Sequence, residues 1–243
     1  MSLFVRVRDK ILSIVLPKIK PSGYCAVRSL TNDLASLVGK SNPIIIDGGA
    51  NYGEFTESCL NKYQNPTIYC FEANHGLAEL LKNKFNNKSN VHIVMKALGN
   101  QVGEIQFNIS RNLPSSSFLE RAEQNEKYHG NTNETNAVVG VDMVKLEDVM
   151  NHCEVIDLLK LDVEGYELAV LKGANCILSK TRIIMLEVWF SDGYQGAPYF
   201  SDIDHYLREH NFKLLNLYNP YTHPDMQLTT ADAVFVNQSY FPR

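Results

Sequence analysis

Residues 44–56 read Ile44-Ile45-Ile46-Asp47-Gly48-Gly49-Ala50-Asn51-Tyr52-Gly53-Glu54-Phe55-Thr56. The three consecutive β-branched apolar residues predict a strand buried on both faces, as in a parallel sheet. Asp47 is expected at the end of that strand. Gly48, Gly49 and Gly53 then allow a tight turn, with no Cβ between the backbone and a ligand. Asn51 stands where many nucleotide-binding loops carry another glycine, and Asn adopts left-handed geometry more readily than most residues. A helix is predicted from about Gly53 to Lys62, its free N–H groups aimed over the turn.

Gly48-x-Ala50-x-x-Gly53 fits a loose dinucleotide pattern, which alone is weak. Asp47 turns the reading. A carboxylate at the strand tip would face a dinucleotide pyrophosphate with like charge, whereas it would attract a cationic ligand. S-adenosylmethionine carries a sulfonium and an ammonium and no phosphate. The plainer alternative is a strand-to-helix turn whose acid caps the helix.

Working outward, Thr67–Phe71 reads as a second strand, β-branched and aromatic. Glu72 follows at its tip, where an acid can accept hydrogen bonds from a ribose diol. Gly76 to Phe85 reads as a helix and Val91–Met95 as a third strand, giving β-α-β-α-β, half of a doubly wound sheet. Lys96, Ala97 and Leu98 follow that strand. Gly103–Ile109 and Ala137–Val141 read as further strands. Residues 110–136 between them are rich in Ser, Asn, Glu and Gly and predict a lid or loop. Ser115, Ser116, Ser117, Arg111, Lys127 and His129 are its polar candidates.

The second informative stretch is Ile156-Asp157-Leu158-Leu159-Lys160-Leu161-Asp162-Val163-Glu164-Gly165-Tyr166-Glu167. Ile156–Leu161 is the fourth predicted strand. Asp162 stands at its carboxyl end, on the edge where α/β sheets place ligands. Gly165 opens a helix that Gly173 ends, and helix capping is the bland reading of Glu164. Arg182–Val188 is a fifth strand with Glu187 near its end. Asp202 to His210 is an amphipathic helix. Phe212–Leu217 and Ala231–Val236 close the chain as an antiparallel hairpin, with Asn219–Thr229, including His223, as a loop toward the active edge.

The chain has 243 residues, 44% hydrophobic and 21% charged, ordinary for a globular domain. A formal net charge of −4 argues against nucleic acid as a partner. The five cysteines, Cys25, Cys59, Cys70, Cys153 and Cys176, show no C-x-x-C spacing and read as reduced thiols of a cytoplasmic protein. No stretch has the length of a membrane span. Residues 1–40 form an N-terminal helical extension, broken at Pro17, Pro21 and Gly23, with Asn32 or Thr31 capping a helix that Gly39 ends. Its first part is basic and amphipathic, a face for packing on the domain or for a homodimer, with membrane-surface contact as the other reading.

Several of these residues together carry a family pattern. Asp47-Gly-Gly-Ala-Asn-x-Gly-Glu-Phe-Thr56, Phe71-Glu72-Ala73-Asn74, Ala97-Leu98-Gly99, Leu159-Lys-Leu-Asp-Val-Glu-Gly-Tyr-Glu167, Leu171-Lys-Gly-Ala174 and Leu186-Glu187-Val188 resemble the FkbM family of S-adenosylmethionine-dependent methyltransferases. The resemblance spans roughly residues 43–190, and the Lys-x-Asp-x-Glu-Gly element is its specific part. Two positions depart from the family pattern: Gly48 replaces a usual Val and Ala73 a usual Pro. The resemblance implies a class I methyltransferase fold: a Rossmann-like, mostly parallel seven-stranded sheet with one reversed strand and helices on both faces. It implies methyl transfer to a hydroxyl of a small molecule, a sugar, nucleotide-linked sugar or polyketide-type metabolite. Residues 41–243 would then be the methyltransferase domain.

On this reading Asp47 faces the methionine ammonium, directly or through water. Gly49, Ala50 and Asn51 line the carboxylate and sulfonium side, Glu72 holds the ribose, and Ala97 and Leu98 border the adenine. Asp162 is both a cofactor contact and the first candidate for the base, followed by Glu187, with His129 or His223 arriving from loops. A divalent metal held by Asp162, Glu164 and Glu187 is an option that the reading does not favour. The competing functions are an NAD-dependent sugar-modifying oxidoreductase and a non-catalytic ligand-binding module on the same fold. The absence of a Tyr-x-x-x-Lys pair after the fourth strand counts against the first.

Overall fold

The computed structural model describes residues 29–122, 135–223 and 225–242, with Pro114 described by its backbone alone. The basic amphipathic segment, the homodimer contact assigned to it, and Lys127 and His129 of the predicted lid lie outside these residues. Helix α1 (Leu30–Val38) comes first. Its N-cap is Ser29, one turn boundary earlier than Asn32 or Thr31, and Gly39 ends it at φ 60°. Then follow β1 (Ile44–Gly48), α2 (Glu54–Lys62), β2 (Thr67–Phe71), α3 (His75–Lys84), β3 (Val91–Val94), β4 (Ala97–Leu98) and β5 (Gly103–Ser110). The second half comprises β6 (Thr135–Val144), α4 (Leu146–Met150), β7 (Ile156–Leu161), α5 (Glu167–Lys172), α6 (Asn175–Leu178), β8 (Thr181–Trp189), α7 (Phe200–Glu209), β9 (Phe212–Thr222) and β10 (Leu228–Asn237).

The main sheet has seven strands in the order β3-β2-β1-β7-β8-β10-β9. β10 runs antiparallel to both of its neighbours, and the other pairings are parallel. This is the class I methyltransferase arrangement expected from the sequence. β7 is buried along its whole length and β1 from Ile45 onward, which accounts for the apolar runs Ile44–Ile46 and Leu158–Leu159; the charged Asp47, Asp157 and Lys160 among them are paired. Ile45, Ile68, Leu158, Ile183 and Val234 pack on one face with Leu34, Cys59, Leu81 and Phe85 of α1–α3 and the turn after α3. Ile46, Leu159, Leu161, Ile184 and Phe235 pack on the other with Val170, Leu171, Ile177 and Leu207 of α5–α7. The alternation of faces is the strand period of two. Strand order reverses between β1 and β7, and a cleft forms there beyond the carboxyl ends of the strands.

Three features differ from the sequence reading. First, β4, β6 and β5 form a separate three-stranded sheet. Its apolar side, Phe107, Val141 and Met143, packs with Phe118 and Tyr166 over the cleft. Second, the described part of the predicted lid is tied down. Ser117 pairs with Asn108, and Arg121 pairs with Tyr194 beyond β8. Third, the predicted loop Asn219–Thr229 is mostly the end of a hairpin, because β9 continues to Thr222. Asn219 takes a left-handed φ of 47° and donates to Asp232. Pro220 is tolerated because β9 is the sheet's edge strand, where one missing N–H breaks no interior ladder.

Candidate active site

Asp47 does not end β1. The strand runs on to Gly48, and the register sets Asp47 beside Lys160 of β7. Side chains opposite each other in a sheet project to the same face. Lys160 Nζ lies 3.1 Å from Asp47 Oδ1, and Thr56 of α2 donates its hydroxyl to Oδ2 at 2.8 Å. Asp47 is completely buried, beneath the glycine loop, and does not face the cleft. Of the two contacts expected with a ligand ammonium, direct or through water, burial leaves the indirect one, and the helix-capping alternative is corrected: the N-cap of α2 is Gly53, without a side-chain cap. Lys160 also donates to the Gly49 carbonyl at 2.8 Å and approaches Asp162 at 3.6 Å. Attraction to Asp47 and Asp162 outweighs its burial and pushes its pKa well above the usual lysine range. The motif lysine, to which the sequence assigned no role, thus joins the loop to the strand beneath it.

The loop itself leaves no room for side chains. Gly49 has φ 72°, and a Cβ there would fall 1.9 Å from the Asp162 carbonyl oxygen. Gly49→Ala should cost at least about 2 kcal/mol, from left-handed strain and the displacement of one strand tip by the other. Urea unfolding of the variant checks this, and an unchanged midpoint would contradict the close approach. Asn51 takes φ 51°, as its residue type suggested.

The cleft is lined by Gly49, Asn51, Glu72, Ala97, Leu98 and Asp162, six of the eight residues expected at a cofactor. Asp47 and Ala50 lie behind it: Ala50 is buried and its N–H is used by the Phe71 carbonyl. Lys96, Phe107, Ser116, Phe118 and Glu164 complete much of the wall. Glu72 is buried at the tip of β2 and accepts the Asn51 and Asn74 N–H groups, both at 2.8 Å. Burial raises its pKa against these two hydrogen bonds. Asn51 Oδ1 is buried with no donor among the described residues.

The acids at the end of β7 divide into different jobs. Asp162 is half exposed, its side chain 51% accessible, at the cleft mouth. Glu164 turns into the cleft wall at φ 54°. It does not cap α5, whose N-cap is Tyr166; Glu167 reaches back instead and accepts the Val163 N–H at 2.9 Å. Glu187, on β8, is pushed well above the usual carboxylate range by burial first and by Glu164, Asp162 and Glu167 next. It is not part of the cleft wall. The predicted serine hydroxyls are spent inside the strap: Ser116 donates to the Leu113 carbonyl and Ser117 to that of Glu164. No three His, Cys, Asp or Glu side chains among the described residues converge to hold a metal ion. Asp162, Glu164 and Glu187 do not fit a metal centre as they stand, so no step is assigned to one. No described helix is long and apolar enough to cross a membrane.

Comparison with known proteins gives this geometry a family. A model described as the Methyltransferase FkbM domain matches residues 47–214. Methyltransferase sdnD of Sordaria araneosa is 30% identical over 186 residues, 66% of this chain and 71% of that protein. The 2-O-methyltransferase NoeI of Sinorhizobium fredii (strain NBRC 101917 / NGR234) is 25% identical over 170 residues, 67% of this chain and 70% of that protein. The crystal structure of Methyltransferase FkbM from Methylobacillus flagellatus KT shares the fold, with a TM-score of 0.51 at 15% identity. That match covers 81% of this chain, which spans 44% of the crystallised one. The matched segment runs from the buried Asp47 through the whole acidic edge to β9, and the chain belongs to the FkbM methyltransferase family.

Proposed function

We propose that the chain binds S-adenosylmethionine in the β1/β7 cleft and methylates a hydroxyl of a small molecule, a sugar or nucleotide-linked sugar in surface-glycan or natural-product assembly. One observation carries the cofactor reading: the cleft wall holds three carboxylates, Glu72, Asp162 and Glu164, against one ammonium, Lys96, which pairs with Asp142 at 3.1 Å. That wall suits a cationic ligand. A nicotinamide dinucleotide would bring its pyrophosphate against Asp162. Family membership and the name of the relative NoeI support O-methyl transfer.

Bound there, S-adenosylmethionine supplies an electrophilic methyl group on its sulfonium. The residues of this chain do the rest. Glu72 holds the ribose diol through its remaining lone pairs. Asn51 Oδ1 and Asp162 accept from the methionine ammonium. Asp47 acts one layer below, balancing Lys160 so that Gly49 stays in place. Ala97 and Leu98 border the adenine, and the Phe107–Phe118 pair excludes water above it. Holding acceptor and methyl in line is the larger part of such a reaction, and the acidic edge receives the acceptor's proton.

Titration calorimetry with S-adenosylhomocysteine and with NAD tests this reading. The wild-type chain should bind the former at micromolar concentration and the latter not measurably. Glu72→Ala should weaken S-adenosylhomocysteine binding about 100-fold, because it removes a charge-assisted acceptor and frees two loop N–H groups. Preference for NAD, or unchanged affinity in the variant, would sink it. A panel of methyl glycosides and nucleotide sugars, followed by mass spectrometry for a 14 Da gain, then seeks the acceptor.

A further inference from the structure

We propose that Glu164 is the general base of the methyl transfer and that Tyr194 is the residue that positions it. The assignment rests on the methyl-transfer reading above and deepens it. Glu164 lines the cleft together with Gly49 and Asp162. Its backbone is held at φ 54°, a left-handed conformation that costs a non-glycine residue energy. The next residue, Gly165, has φ 92° and packs closely against Tyr194, Leu119 and Ala197, which would have to give by a few tenths of an ångström to admit a Cβ. The turn brings the Glu164 side chain to the cleft wall, and Glu164 does not cap α5.

The side chain is gripped on one oxygen only. Tyr194 donates its hydroxyl to Glu164 Oε2 at 2.7 Å. Oε1 receives no hydrogen bond from a described residue and is the free acceptor. The grip is itself secured. Arg121 donates to the Tyr194 hydroxyl at 3.2 Å and to the Ser115 carbonyl at 3.0 Å. Gln195 N–H donates to the Glu120 carbonyl at 2.8 Å, and Ala122 N–H to the Gly193 carbonyl at 3.2 Å. Ser117 donates its hydroxyl to the Glu164 carbonyl at 2.7 Å. Residues 115–122 and 193–195 therefore form a strap that closes over Glu164 and fixes its direction.

The other candidates fit the task less well. Asp162 is half exposed, with its charge engaged by Lys160 at 3.6 Å. Glu187 stands outside the cleft wall. Electrostatics agree with the geometry. Burial, then Asp162, pushes the Glu164 carboxyl up to about 8; Glu167 adds to this, while the Tyr194 hydrogen bond and Arg121 oppose it. Glu187 faces the same group from β8. A base near the working pH combines availability with strength.

In the balanced step, the O–H bond of the acceptor breaks and its proton goes to Glu164 Oε1. The O–C bond forms, and the electron pair of the broken S–C bond stays on sulfur. The proton leaves Glu164 for solvent after product release, and Tyr194 keeps its own proton throughout.

Two arms test the proposal on the full chain. In the first, Glu164→Gln and Tyr194→Phe are assayed against the glycoside and nucleotide-sugar panel. Glu164→Gln should lower kcat about 10²- to 10⁴-fold while S-adenosylhomocysteine affinity stays within about threefold. The acid limb of the kcat profile should move up by about one pH unit in Tyr194→Phe, since a hydrogen bond to the ionised form is lost. In the second arm, the chain is labelled with carboxyl-¹³C glutamate, saturated with S-adenosylhomocysteine and titrated by NMR. The signal missing from Glu164→Gln should titrate above pH 6, and higher still in Tyr194→Phe. A kcat within about threefold of wild type in Glu164→Gln overturns the assignment. So does a midpoint below pH 5 or one indifferent to Tyr194. Should S-adenosylhomocysteine bind and no panel member be methylated, the saccharide reading fails, and the NMR arm alone judges Glu164.

Discussion

Replacing Lys160 with methionine is expected to destabilise the protein by about 4 kcal/mol, the cost of leaving one member of a buried ion pair without its partner. The melting temperature should fall by about 10 °C for a chain of this size. The magnitude follows from burial. Asp47 is completely inaccessible, and Thr56 alone would then remain to satisfy it. Methionine fills much the same space, so lost packing contributes little. The double variant Asp47→Asn with Lys160→Met should recover more than half of the loss, because the stranded charge is gone. Thermal and urea unfolding of the four proteins close the cycle. A single-variant loss below about 1 kcal/mol would mean that the pair is exchanging with water. S-adenosylhomocysteine affinity should drop in Lys160→Met as well, through the released Gly49 carbonyl.

The second large effect is in the pH dependence of stability, and Glu167 isolates it. Burial holds its carboxyl at about 7 in the folded chain, against a value near 4.3 when unfolded. Between those two values the folded state binds more protons than the unfolded state. Stability contributed at pH 4 is therefore lost as pH rises to 7 and does not return above it. The loss is on the order of 3 kcal/mol. Glu72, Glu164, Glu187 and Asp232 are shifted in the same direction and add to the slope. Glu167→Gln keeps an acceptor for the Val163 N–H and removes the ionisable group. Urea unfolding at pH 5 and pH 8 should show a wild-type loss that is about 3 kcal/mol larger than that of the variant. Equal losses would show that Glu167 ionises freely in the fold.

The parallel strands, the glycine turn and the acids at the strand tips were legible because local sequence dictates them. Ile44–Ile46 is a continuous apolar run, and Ile156–Leu161 is apolar but for Asp157 and Lys160, as strands inside a parallel sheet are. Gly49 and Asn51 are residue types that left-handed geometry selects, and Glu72 and Asp162 are chain positions at strand tips. Six of the eight expected cofactor residues met in one cleft for that reason. What the sequence does not reveal is register, and with it the partner of Asp47. A strand one residue longer places that carboxylate against Lys160, in the sheet and not at its edge.

What the sequence determined by itself is the parallel βαβαβ half of the sheet, the glycine turn and the acidic character of the edge above it, since strand and helix periods and glycine tolerance are local properties. What only the tertiary structure decided is which acids do which work. Glu164 and Glu167 differ by three positions in the chain, yet Tyr194 and the strap fix one in the cleft wall while backbone N–H groups claim the other. Such division depends on burial and on partners far away in the chain. Those partners come together only when β8 and the β5–β6 insertion pack against the end of β7.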